Sequence, residues 1–311
     1  MRVLVVTNMY PTRERPALGP FVRDQVEALR RRGDLEVELY AFGPGPRALV
    51  RAAAGLRRRH RGRRFDIVHA HFGLTAWPAV LARLGPVAVT LHGNDLLVRR
   101  SYLATRAVLP FTALTIAVSR EFSANLPGAG TTRRVAVLPV GIDLERFRPI
   151  PRAEARARLG LDPAGPYLLF PHDPSRPLKR HDRAVEAAGD ARLLTLGGVA
   201  PSEVPYWINA ANAVLVPSEK EAFGLSVLEA LACDVPAFAT PVGIHPVALG
   251  GIDGAYCAPW DREAWQVALR PVLTAPDPRV AGRERARLFS ADAMADRLVV
   301  AWRDLLDERG G

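Results

Sequence analysis

Several things are scarce in this chain of 311 residues. Cysteine appears twice, as Cys233 and Cys257, and lysine twice, as Lys179 and Lys220. The cysteines share no metal-type spacing, which excludes a zinc ribbon or a disulfide framework and predicts buried, reduced thiols. No apolar run approaches the roughly 18 residues a membrane span needs. Val3-Leu4-Val5-Val6 follows Met1-Arg2 directly, with no secretory h-region before it. The protein is therefore expected in the cytoplasm. Repeats at solenoid periods and low-complexity tracts are also missing, apart from one arginine cluster. With so little lysine, the net charge of +10 is almost all arginine. Base composition produces such a bias as readily as a ligand does.

At 49% hydrophobic residues the chain can build two α/β domains of ordinary size. The arginine cluster runs through Arg51, Arg57, Arg58, Arg59, Arg61, Arg63 and Arg64, beside Leu49, Val50 and Leu56. A basic amphipathic segment suits an anionic membrane surface, and a solvated face accounts for it equally. It has no interleaved aromatics and no nucleic-acid motif, so no nucleic-acid partner is expected.

The first half alternates strand-like and helix-like stretches. Strands are predicted at Val3 to Val6, Val37 to Ala41, Ile67 to Ala70, Val87 to Leu91, Ala113 to Val118 and Val135 to Leu138. Helical patterns, such as Phe21 to Arg31 and Leu74 to Arg83, fall between them. A second cycle begins at Tyr167 to Phe170 and continues through Arg192 to Leu196, Ala213 to Val216 and Ala237 to Ala239. This alternation predicts parallel, doubly wound sheets. Phe147-Arg148-Pro149-Ile150-Pro151 reads as an extended linker between the cycles, because each Pro disfavours helix before it. Two domains with a cleft between them follow from the pattern.

The most informative segment is Pro217 to Leu231, which holds Glu221 and Glu229 with seven residues between them. Glu221 sits in the turn after a strand, where open α/β sheets bind ligands. Glu229 lies on the following helix, predicted at Leu225 to Cys233. Eight helical residues rise about 12 Å, whereas paired glycosidase carboxylates stand about 5 to 9.5 Å apart. The spacing suits two ends of one long ligand, such as a sugar and a ribose bridged by a diphosphate. The first helical turn, Phe223 to Ser226 with Gly224 and Leu225 inside it, directs backbone N–H groups at the diphosphate. Glu229 lies near the apolar stripe, where a charged side chain needs a partner, and ribose hydroxyls are suitable.

Other residues fit the same ligand. Gly19, before Pro20 at a helix start, lets a phosphate approach exposed N–H groups, though it also reads as a plain N-cap. The G-x-G-x-x-G of dinucleotide enzymes is missing at that turn. Arg176 and Lys179 follow the strand Tyr167 to Phe170, and two cations there suit the growing charge of a diphosphate leaving group. His92 ends the strand Val87 to Leu91, with Asn94 and Asp95 as polar neighbours. His69 and His71 face one side of a strand but lack a carboxylate or Cys partner, so packing is the preferred reading over a metal.

These motifs together resemble the retaining glycosyltransferases of family 4. The E-x7-E element with Ser218 before it and Ala230 to Pro236 after it carries the resemblance. So do Met9-Tyr10-Pro11, Gly19 to Val22, Asp66 to His71, Thr90 to Asp95, Val118-Ser119-Arg120 and Pro139 to Asp143, in the family's order. The resemblance implies a GT-B fold, with two doubly wound Rossmann-like domains facing a central cleft. Residues 1–148 would form the acceptor side and residues 149–290 the nucleotide-sugar domain, with residues 291–311 a helix crossing back. It implies sugar transfer from a nucleotide-diphosphate sugar to a hydroxyl of a glycan, lipid-linked or small-molecule acceptor, by front-face displacement and with neither metal nor cofactor. His92, Glu221, Arg176 and Lys179 would be catalytic. Gly19, Val199, Phe223, Gly224, Leu225 and Glu229 would hold the donor, and Asn94 and Asp95 would lie toward the acceptor. Two departures stand out. Pro174 occupies the place of the family's Arg, five before the Lys, so Arg176 matches less well than Lys179. The stretch from Leu196 to Ala213, around Val199, is shortened where the family builds its base pocket, and UDP is only the default. A sugar-nucleotide epimerase or hydrolase, or a non-catalytic sugar-nucleotide-binding protein, are the rival readings.

Overall fold

The structure, a computed structural model, describes residues 1–93, 95, 98–126 and 134–310. Its contacts divide into two compact units, Met1–Gly141 with Ala291–Gly311, and Ile142–Ser290.

The first unit holds a six-stranded sheet in the order β2-β1-β3-β4-β5-β6. Its strands are β1 (Arg2–Thr7), β2 (Glu36–Ala41), β3 (Ile67–His71), β4 (Val87–Leu91), β5 (Leu114–Ala117) and β6 (Val135–Val137), all paired in parallel. Val3 to Val6, all of β3 and all of β4 are buried, as expected of apolar runs covered on both faces. The chain leaves β1 toward β2 and then returns to the other side for β3. The switch point therefore lies at the carboxyl ends of β1 and β3, where such sheets open a crevice. The helix Ala291–Gly310 closes this unit's core: Met294, Leu298 and Trp302 are buried in one cluster with Val3, Val5 and Ile67.

The second unit has a five-stranded parallel sheet in the order β11-β10-β9-β7-β8. Its strands are β7 (Tyr167–Phe170), β8 (Arg192–Thr195), β9 (Ala213–Val216), β10 (Ala237–Ala239) and β11 (Tyr256–Cys257). Phe170, Leu215, Phe238, Trp265 and Leu269 form the main cluster of its core. By the same rule its switch point falls at the carboxyl ends of β7 and β9.

The structure adds detail to three expectations. The chain divides at Gly141 and Ile142, ahead of the boundary expected at Arg148. The Phe147 to Pro151 stretch is no free linker. Phe147 and Ile150 are buried, and the Ile150 N–H donates to Asn209 Oδ1 at 2.9 Å. The segment around the arginine cluster forms the helix Pro46–Arg59, but Leu56 is fully buried and Leu49 half-buried, leaving Val50 as the one apolar side chain of that trio in solvent. Some arginines serve the fold: Arg57 donates to the Leu81 carbonyl, Arg64 to the Arg83 carbonyl, and Arg63 pairs with Glu38. Both cysteines are free; Cys233 is buried, which pushes its thiol up to about 12, and Cys257 is half-buried. No helix among the described residues is long and apolar enough to cross a membrane.

Candidate active site

In the first unit, the loop after β1 ends at Gly19, whose φ of +65° is left-handed. A Cβ at Gly19 would stand 2.5 Å from the Met9 carbonyl oxygen. Only glycine therefore fits, and Pro20 starts the helix Pro20–Arg31 with no side-chain cap on its N-terminal N–H groups. Across the switch point, β3 ends in His71 and β4 is followed by His92. His92 is fixed from several sides. Its N–H donates to Asp95 Oδ2 at 2.7 Å, and its ring packs 4.8 Å from both Phe21 and Phe72. Asp95 is buried, and its other oxygen accepts from the Gly73 N–H at 2.7 Å. Both carboxylate oxygens thus hold backbone, so Asp95 shapes the His92 turn. Burial raises its pKa against the pull of these N–H groups. Asn94 lies outside the described residues. His69 is wholly buried, hydrogen-bonded to Thr90 at 2.9 Å and edge-on to Trp302. No group of three or more metal-ligating side chains occurs among the described residues.

In the second unit, the loops after β7 and β9 bring Lys179 and Glu221 together. Lys179, only 7% exposed, donates from Nζ to Glu221 Oε1 at 2.5 Å. Ser218 Oγ donates to the same oxygen at 2.8 Å. Glu221 Oε2 has no protein donor among the described residues. Burial lowers the Lys179 pKa, which Glu221 partly restores. His172 follows β7, with Nε2 4.0 Å from Glu221 Oε1 and 3.4 Å from Ser226 Oγ. Burial, with Lys179 and Arg176 nearby, holds its pKa well below the usual histidine range.

The turn after Glu221 is tightly determined. Phe223 is buried, and its carbonyl accepts from the Ile244 N–H at 2.7 Å. Gly224 has φ +103° and precedes the helix Leu225–Ala232, which has no side-chain cap. A Cβ on Gly224 would overlap Nε2 of His245. His245 is itself buried, and its Nδ1 donates to the Thr240 carbonyl at 2.9 Å, leaving Nε2 without a partner among the described residues. Glu229 lies half-buried on that helix, and Val199 half-buried in the turn after β8. Arg176 is exposed and stands outside the Lys179–Glu221 contact.

The sequence reading left out Gln25, Phe72, His172, Thr240 and His245, and treated His71 as packing. Only His71 carried a signal, as the last residue of an apolar strand ending at the switch point. The others depend on pairings across distant segments.

The chain is similar to known proteins over most of its length. The family model Glycosyltransferase Family 4 matches residues 1–146, and the model Glycosyl transferases group 1 matches residues 170–275. The D-inositol 3-phosphate glycosyltransferase of Segniliparus rotundus is 31% identical, over 94% of this chain and 75% of that protein. Its counterpart from Mycolicibacterium paratuberculosis is 30% identical, over 96% and 79%. Among solved structures, sucrose-phosphate synthase from Thermosynechococcus elongatus superposes with a TM-score of 0.75 at 19% identity, covering 99% of this chain and 100% of that one. Anabaena HepE in complex with UDP-glucose gives 0.73 at 16%, covering 98% and 100%. With a shared fold and this identity over most of the length, the chain belongs to glycosyltransferase family 4 and is a glycosyltransferase of the GT-B fold.

Proposed function

We propose that this enzyme transfers a sugar from a UDP-sugar to the hydroxyl of a small polyol acceptor, with retention and without a bound metal. The observation that carries the reading is the buried Lys179–Glu221 contact at the second unit's switch point, beside the uncapped N-terminus of the helix Leu225–Ala232. One Lys179 proton is spent on Glu221, and two remain for the oxygens of a leaving diphosphate. The helix N-terminus adds backbone N–H groups and a favourable dipole. Glu221 Oε2 is left to accept from hydroxyls of the transferred sugar, and Glu229 from those of the ribose. In this scheme the protein supplies orientation and charge stabilisation, and the ammonium and helix dipole take the place of a metal.

UDP is proposed because Anabaena HepE was solved with UDP-glucose. A small polyol is favoured because the curated relatives are named for D-inositol 3-phosphate. A lipid-linked acceptor reached through the arginine segment has less support, because Leu56 is turned into the fold.

The test is a thermal-shift screen over UDP-, GDP-, ADP- and dTDP-sugars, followed by transfer assays with polyol phosphates in EDTA. A UDP-sugar at 100 times its dissociation constant should stabilise the protein by about 2.7 kcal/mol, and EDTA should leave turnover unchanged. Stabilisation by another nucleotide alone, or loss of turnover in EDTA, would overturn the corresponding part.

A further inference from the structure

A buried chain of hydrogen bonds in the first unit ends at His92. Gln25, on the helix Pro20–Arg31, is buried, and its amide nitrogen lies 3.2 Å from His71 Nε2. His71 is fully buried, and its Nδ1 lies 2.9 Å from His92 Nε2. The two imidazole planes are inclined by only 18° with centroids 5.2 Å apart, so the rings meet nearly edge to edge, as an in-plane hydrogen bond requires. Directions follow from donor chemistry. An amide nitrogen only donates, so His71 Nε2 accepts and must be bare. A neutral His71 then carries its proton on Nδ1 and donates it to His92 Nε2. A neutral His92, accepting at Nε2, must carry its own proton on Nδ1. Burial keeps both rings neutral, drawing His71 down to about 3 and His92 well below the usual range. His92 Nδ1 has no protein partner among the described residues.

The surroundings hold this ring in one pose. Asp95 fixes the backbone, and the Phe21 and Phe72 rings fix the imidazole. Phe72 has a φ of +75°, a backbone conformation that a bulky residue adopts only under strain. Strain of that kind persists where the fold demands it. An imidazole free in water favours the Nε2–H tautomer, so the arrangement works against the ring's own preference.

We infer that Gln25 and His71 are positioning residues that lock His92 in its Nδ1–H tautomer, so that it meets its ligand as a hydrogen-bond donor and not as a base. The functional half of this inference rests on the reading of His92 as part of the transfer site. The ligand atom is an oxygen with a lone pair, such as a sugar hydroxyl or a developing anionic oxygen.

Long-range nitrogen NMR on the full chain labelled at histidine tests the lock without reference to turnover. With seven histidines, His92 is assigned by loss of its signals in His92→Gln. In the wild type, His92 Nδ1 should give a protonated, pyrrole-like signal and Nε2 a bare, pyridine-like one. The opposite pattern overturns the lock, and it needs no variant to detect. Gln25→Met keeps the bulk and removes the donor. It should move His92 toward a tautomer mixture and lower kcat about tenfold, the loss of roughly one hydrogen bond, while UDP affinity stays within about twofold. An unchanged spectrum in Gln25→Met overturns the role of Gln25. A changed spectrum with unchanged kcat preserves the lock and sinks the assignment of His92 to the transfer site.

Discussion

At the scale of single residues, Lys179 and Glu221 do two things at once. Their side chains are 9% and 8% exposed and in direct contact, so each is the chief partner that compensates the burial of the other. Removing one partner of a buried pair costs about 3–5 kcal/mol, whereas replacing both by neutral groups of similar size costs much less. Lys179→Ala should therefore lose stability as well as activity, and Lys179→Met combined with Glu221→Gln should recover most of the stability and none of the activity. Urea unfolding of the single and double variants measures this. A single variant as stable as the wild type would mean that the pair is solvated and that its role in the fold is overstated. Both residues were legible in the sequence, Glu221 from the E-x7-E spacing and Lys179 as one of two lysines. Their contact was not, because 42 residues separate them and a strand-end position does not say where a side chain points. Arg176 shows the same limit from the other side. Its position suits a phosphate, but the sequence did not say that its side chain would lie in solvent and outside the Lys179–Glu221 contact.

At the scale of elements, apolar runs were the reliable signal. Val3 to Val6, Ile67 to Ala70 and Ala213 to Val216 lie in strands because a parallel sheet covered on both faces needs continuous apolar residues. β11 escaped notice because Tyr256–Cys257 is two half-buried residues, too short for any period. The helix Pro46–Arg59 shows a second limit. Its amphipathic pattern was visible, but pattern alone does not say whether a bilayer or the protein covers the apolar face. The helix Ala291–Gly310 is the element on which the first unit most depends. Trp302 is fully buried among Val3, Val5 and Ile67, edge-on to His69 at 5.3 Å. Trp302→Ala should cost about 3–5 kcal/mol, seen as an earlier urea midpoint with little change in slope. A cost below about 1 kcal/mol would show that this helix is only loosely joined to the core.

At the scale of the whole molecule, charge and buried histidine act together. Burial is the first cause lowering the pKa of His60, His69, His71, His92, His172 and His245, six of the seven histidines. In the unfolded chain each titrates near 6.5. Between that value and the lower folded one, the unfolded state binds more protons, so acid favours unfolding. The stability is complete above about pH 6.5 and falls as pH drops below it, with His71 contributing until about pH 3. Each such group contributes a slope of up to about 1.4 kcal/mol per pH unit, so several together exhaust an ordinary stability of about 5–15 kcal/mol within a few units. Every proton taken up also raises a net charge that already stands at +10. Asp95 works the other way, because its raised pKa favours the folded state in acid, but one carboxyl does not offset six imidazoles. The unfolding free energy should therefore fall steeply between pH 6.5 and pH 5, above the range where the ion-paired carboxylates Asp34, Asp182 and Glu203 begin to protonate. His69→Leu should reduce that slope by about 1.4 kcal/mol per pH unit, the share of one proton. Urea unfolding at half-unit steps of pH measures both, and a wild-type stability that stays flat from pH 7 to pH 5 would show that these histidines are not desolvated in the folded protein.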